Sequence, residues 1–328
     1  MSEVAARRRS AGWPTGVTAA CGDLRAAPDS RRRLQLVLGG IWLLDGVLQL
    51  QSFMFTRSFG QMLAGTARGN PAVIAGPIVW SAHLIDQHTA VMNAIFAAVQ
   101  LLLGLGIAWR PTLRLALGAS IAWAVAVWWL GEGLGGVLTG SASPVNGAPG
   151  AVILYALVAV LLWPSRRDRP APFAAAAGAG LTAARLIWLA LWTSLACVAL
   201  EPAARAPQGL SRTISAMAAG APGWLASADR GISQLLTGRG LETSVALAVV
   251  LAVVAVGIYL PVPAARAAVA AAVVIAGVIW VAQGFGGMTA GSATDPNTGP
   301  LLALLALAYW PRPGTGPAAG RRVPAGGG

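Results

Sequence analysis

The chain has 328 residues, of which 56% are apolar and only 10% charged, with a mean hydropathy of +0.67. Water-soluble domains of this length do not carry such a profile, so the composition selects a membrane protein. The formal net charge of +12 is due to arginine, since the chain holds no lysine, and the arginines stand at the ends of apolar runs and in short tails; that placement fits membrane topology and excludes a nucleic-acid partner.

Residues 1–33 read as a basic cytoplasmic tail, disordered by its Pro, Gly and Arg content, with no cleavage pattern of the kind that ends a signal peptide. Beyond it, apolar runs approaching the ~20 residues that cross a bilayer fall at about 34–50, 91–109, 113–130, 149–163, 181–200, 243–260, 265–282 and 299–311. The resulting fold class is all-α, a polytopic membrane protein of eight transmembrane helices. A first four-helix unit covers 34–164, a cytoplasmic linker 165–180, a second four-helix unit 181–311, and a disordered tail 312–328. With this arrangement one side of the membrane receives only Arg57, Arg68, Arg205, Arg212, Arg230 and Arg239, and all other arginines lie on the opposite side. Basic residues in short loops stay cytoplasmic, so both termini are expected in the cytoplasm. The apolar stretch 72–85 would break this sidedness if it crossed, and it reads as an interfacial or re-entrant helix. Cys21 and Cys197 are too few and too differently placed for a disulfide framework, and both read as structural.

Sliding the chain over itself by 151 residues aligns Trp129 with Trp280, Gly133 with Gly284, Gly135 and Gly136 with Gly286 and Gly287, Asn146 with Asn297, and Pro149 with Pro300. A single offset over that length indicates duplication of a whole unit. Four spans per unit give both copies the same orientation, a parallel repeat about an axis near the membrane normal.

The run Gly131-Glu132-Gly133-Leu134-Gly135-Gly136 formally satisfies G-x-G-x-x-G, but a dinucleotide fingerprint needs a strand before it, and here an apolar helix precedes. The glycines are better read mechanically, as permitting positive φ and close backbone approach in a loop that lines a cavity, with Asn146 and Asn297 supplying side-chain hydrogen bonds before the next helix. The two loops are expected to meet at the outer face.

Asp45 is the one charged residue well inside a predicted span, and Trp42, Asp45 and Gln49 share a helix face. It is either a proton or ligand site or a protonated acid bonded to a neighbouring helix. Glu132 stands at the mouth of the loop and its repeat mate is Gln283, so both are candidates for hydrogen bonding and only the first for acid chemistry. His83, Asp86 and His88 in the outer segment are further candidates, but a helix turns His88 away from the other two, so no metal site is assigned. The mates of Asp45, His83, Asp86 and His88 are Ala196, Gln234, Thr237 and Arg239, which places any reactive site mostly in the N-terminal unit. No soluble-enzyme signature occurs.

The helix LQLVLGGIWLLDGVLQLQ, with Gly40 and Gly46, followed by a long outer segment and three closely spaced spans, resembles the DoxX/DoxD-like group of four-helix bacterial membrane proteins, in duplicate. That resemblance implies a redox-complex subunit linked to a quinone or haem, and it carries no catalytic residue over. The residues themselves favour a non-enzymatic component of the bacterial inner membrane: a small-solute or proton-coupled transporter, or a subunit of a membrane complex. Its expected partners are the lipid bilayer and either a complex partner or further copies of itself.

Overall fold

A computed structural model describes residues 30–165, 171–218 and 221–312. The tails 1–29 and 313–328, with Cys21 and their arginines, lie outside the described residues, as do Arg166, Arg167, Arg169 and Gly220. Among the described residues every regular element is helical.

The first half runs α1 (Ser30–Leu48), α2 (Arg57–Gly65), α3 (Ala72–Gln87), α4 (Thr89–Ala108), α5 (Leu113–Leu130) and α6 (Ala151–Leu161). After α7 (Ala174–Ala179), the second half runs α8 (Leu181–Val198), α9 (Pro202–Arg205), α10 (Gly209–Met217), α11 (Gly223–Leu236), α12 (Gly240–Gly257), α13 (Val262–Ala282) and α14 (Thr298–Leu307). In the first half α1 packs on α4, α2 on α3, and α5 on α6; in the second α8 packs on α12, α10 on α11, and α13 on α14.

Among the described residues five helices are long and apolar enough to span a membrane: α4, α5, α8, α12 and α13. Only 28% to 39% of each apolar window is buried within the protein, so most of each span presents apolar surface outward, as lipid contact demands. The other three predicted spans differ from this class for visible reasons. α1 is 19 residues long but opens on Arg31, Arg32 and Arg33. α6 and α14 have 11 and 10 residues, which climb only ~16 Å at the helical rise, against ~27 Å for α5. They are the most enclosed helices, packed on each other at the centre of a core shared by both halves. A glycine-rich loop precedes each of them.

With no hydrophobic drive between helices in lipid, close backbone approach and interhelical hydrogen bonds set the packing. A Cβ on Gly104 of α4 would lie 2.7 Å from the Gly39 carbonyl oxygen of α1, and one on Gly46 would lie 2.6 Å from the Leu101 side chain. α1 and α4 thus meet through glycines, and Arg32 seals one end by donating to the carbonyls of Ile107, at 2.9 Å, and Ala108 at the α4 terminus. At that same end Arg114 donates to Pro164 and Arg312 to Ser30.

Two expected segments take a more ordered form. The stretch 72–85 lies within a continuous helix, α3, which contains Pro77 and packs on α2, α4 and α5. The expected linker is partly built into the core: Phe173, Ala174, Ala175 and Ala176 are buried, the Phe173 ring sits 5.1 Å from Tyr309, and the Ala175 N–H donates to Ala308. Cys197 is a free thiol on the exposed face of α8.

Candidate functional site

The glycine loop after α5 begins with a turn, Gly133–Gly136, in which four consecutive residues take positive φ, from 57° at Gly133 to 70° at Gly136. Glycine relieves that cost at three of them, and Leu134 bears it at φ 58°. Gly135 is held for a second reason: a Cβ there would lie 2.0 Å from the Pro149 carbonyl oxygen. The loop then forms a turn, Pro144–Asn146, in which Ser143 and Asn146 cap each other reciprocally. In the second half Gly284, Phe285, Gly286 and Gly287 repeat the positive φ values, and Asn297 caps α14 by accepting the Thr298 N–H at 2.7 Å.

The two loops meet. The Gln283 amide donates to the Val145 carbonyl at 3.2 Å and to the Thr298 hydroxyl at 3.1 Å, while Gln51 donates to Ala293 across the halves. Gln283 therefore works as a brace between loops. Its counterpart Glu132 acts within one loop instead. The Glu132 carboxylate accepts the Ala151 N–H at 3.0 Å and the Val152 N–H at 3.2 Å, which are the first free amides of α6. A carboxylate at a helix N-terminus is favourable, yet burial comes first and Asp295 next, and together they push Glu132 up from 4.5 to about 8 against the pull of the two amides.

Beneath this loop lies a partly open cavity of about 230 Å³. Asp45 from α1, Glu132 from the first loop and Asp295 from the second loop all line it, and among the described residues no arginine or histidine does. Asp45 is 1% exposed, and one oxygen accepts the Tyr155 hydroxyl of α6 at 2.5 Å. Its other oxygen, Oδ1, has no partner among the described residues. Asp295 is raised by burial, opposed by hydrogen bonds from the Thr294 hydroxyl and the Asn297 N–H. Trp42, Phe59, Phe96, Trp123 and Tyr155 supply aromatic walls; Trp42 is fixed by its indole N–H to Ser120 and lies 4.2 Å from the Tyr155 ring. A second cavity of about 350 Å³ opens between the two glycine loops, and Glu132 and Asp295 line both spaces.

The residues singled out in the sequence divide between these spaces. Asp45, Gln49 and Glu132 come together on the inner cavity, and Gln49 is tied to Asn93 of α4 through both side chains and its own carbonyl. Gly135, Asn146, Gly286 and Asn297 line the outer cavity; Gly133, Gly136, Gly284 and Gly287 shape the turns behind it. His83, Asp86 and His88 line neither cavity, although Ser81 and Ile85 of the same helix reach the inner one. His83 is exposed and pairs with Gln87 one turn on. Among the described residues no three His, Cys, Asp or Glu side chains cluster as a metal site.

Most of the inner cavity's lining comes from the first half, and the second half adds Thr294 and Asp295. At the offset of 151 residues Asp295 falls on Pro144, so a comparison that starts from the acids of the first half passes over it. Tyr155 carries no such signal, because its partner lies 110 residues away. No family model, curated protein or solved structure matches the chain.

Proposed function

We propose that this chain is a multi-pass membrane component, of the small-solute or proton-coupled transporter kind, whose site is the acidic cavity between its two halves. In this reading eight segments cross the bilayer in two parallel four-helix units, and both termini lie on the cytoplasmic side. Support for the two units is the recurring order of packed helix pairs, together with the same positive-φ turn in front of α6 and α14. Support for the sidedness is the gathering of Arg32, Arg114 and Arg312 at one end of the bundle.

The observation that carries the functional reading is the convergence of Asp45, Glu132 and Asp295 on one apolar-walled space without a basic neighbour among the described residues. Ionisable groups at membrane depth are costly and mark ion and solute paths. Non-helical backbone at that depth lines a cavity, and half-length helices aim their N-termini into it, as α6 does at Glu132. The geometry suits reversible protonation rather than bond-making chemistry: among the described residues there is no nucleophile and base pair on the cavity wall. The redox-subunit alternative draws on His83 and His88, which stand away from this space.

The test is uptake. Liposomes carrying the protein and an imposed pH gradient are offered a defined pool of amino acids, amines, sugars and organic acids, and their contents are read by mass spectrometry. One solute class is expected to accumulate with the wild type and not with the Asp45→Asn/Glu132→Gln variant. Contents equal to those of protein-free liposomes for every solute would sink the reading.

A further inference from the structure

We propose that the inner cavity takes a small organic cation, a substituted ammonium group, with Asp45 as its counter-ion. This rests on the reading of the cavity as a solute site and narrows it to one chemical class.

Four properties of the space select that class. Among the described residues its walls hold three carboxyl groups and no basic side chain, so an anion would find no counter-charge. Asp45 presents a buried oxygen without a partner, which a neutral apolar molecule would leave unpaired. Bare metal ions of the hard kind need six or more oxygens at short range, whereas most of this wall is aromatic and aliphatic. An alkylated ammonium group is satisfied by what remains, one carboxylate and several π faces, because aromatic rings attract a cation that has already shed its water. Trp42, Tyr155, Trp123 and Phe96 supply those faces, the last two set edge to face at 5.7 Å.

Access is built for the same charge. Glu132 and Asp295 line both the inner cavity and the space between the glycine loops, along with Met62, Gly131 and Thr294. A throat lined by two acids and, among the described residues, no basic side chain offers an entering cation two acceptors that its own charge would help to ionise. The volume of about 230 Å³ accommodates a compact ammonium head.

The full chain in lipid nanodiscs is titrated with choline, with 3,3-dimethylbutan-1-ol as its uncharged isostere, and with sodium chloride as an inorganic competitor, read by calorimetry and by the tryptophan fluorescence that Trp42 and Trp123 provide. Choline is expected to bind at least about tenfold more tightly than the alcohol, and Asp45→Asn to remove that preference. Trp123→Leu, which keeps every carboxyl group, is expected to weaken choline by about three- to tenfold and leave the alcohol unchanged. Equal binding of the two probes, a preference that survives both substitutions, or sodium displacing choline at equal concentration would each overturn the inference. If Asp45→Asn does not purify as a folded protein, Trp123→Leu decides alone. Should the liposome assay accumulate a neutral or anionic solute while choline fails here, the transport reading stands and the ammonium assignment falls.

Discussion

Replacing Gly135 by alanine isolates what the glycine-rich loop does. Two costs act at this position. Its φ of +64° is one that alanine adopts at a cost of ~1 kcal/mol. The added Cβ would also sit 2.0 Å from the Pro149 carbonyl oxygen and 2.5 Å from the Gly150 nitrogen, and these are backbone atoms that cannot swing aside. Forced overpacking of this kind costs about 1–3 kcal/mol, so Gly135→Ala is expected to lose about 2–4 kcal/mol in all. Gly287 is the internal control: its φ is +71°, but a Cβ there meets nothing within 4 Å, so Gly287→Ala should lose only ~1 kcal/mol. Gly286, whose Cβ would lie 2.8 Å from the Pro296 carbonyl oxygen, should fall between them. Reversible unfolding in mixed micelles, followed by tryptophan fluorescence, gives the three values. A loss at Gly135 no larger than at Gly287 would refute the view that the loop's glycines serve close approach. Because Pro149 and Gly150 lead directly into the amides that Glu132 accepts, the variant should also weaken solute binding.

The remaining predictions concern the carboxyl groups, the buried amides and the sidedness. Glu132 titrates near 8 when folded and near 4.5 when unfolded, so its contribution to stability is fully present below about 4.5 and is lost as the pH rises through 8; Glu132→Gln should flatten the stability profile across that window, and an unchanged slope would contradict the burial argument. Asn93 is fully buried and both accepts from and donates to Gln49; Asn93→Leu should cost about 1–2 kcal/mol, and combining it with Gln49→Leu should cost less than the sum, which a double-mutant cycle measures. Ser141 is exposed in the first loop; in a background free of Cys21 and Cys197, Ser141→Cys should react with an impermeant thiol reagent from outside intact cells, and labelling only after lysis would reverse the topology.

The parts of this fold legible in the sequence were those that act through local pattern. Apolar runs located helices at all eight predicted places within a few residues, five of them long and apolar enough to span a membrane among the described residues, since a run's length and composition are local properties. Asp45 was legible because an acid amid leucines is costly wherever it goes. The lengths of α6 and α14 were not, because the apolar run continues past the point where backbone geometry ends the helix: Gly150, at φ 106°, precedes α6, and the loop before it folds into the bundle. Partners were also hidden. The bond from Tyr155 to Asp45 and the brace from Gln283 to Val145 join residues far apart in the chain, and no periodicity records them. The glycines announced a special backbone, and only its neighbours reveal that Gly135 makes room for Pro149 whereas Gly287 makes room for nothing.

The buried connector has a mechanical consequence. Phe173 stacks near Tyr309, Ala175 donates to Ala308, and the Arg312 N–H donates to Pro172, so the join between the halves is clasped to the end of α14 on the arginine side. The hollow spaces lie toward the other end, lined in part by the loops that carry Glu132 and Asp295. The loop end is fastened as well, by the bonds from Gln283 to Val145 and from Gln51 to Ala293, so the two halves are joined at both ends of the bundle.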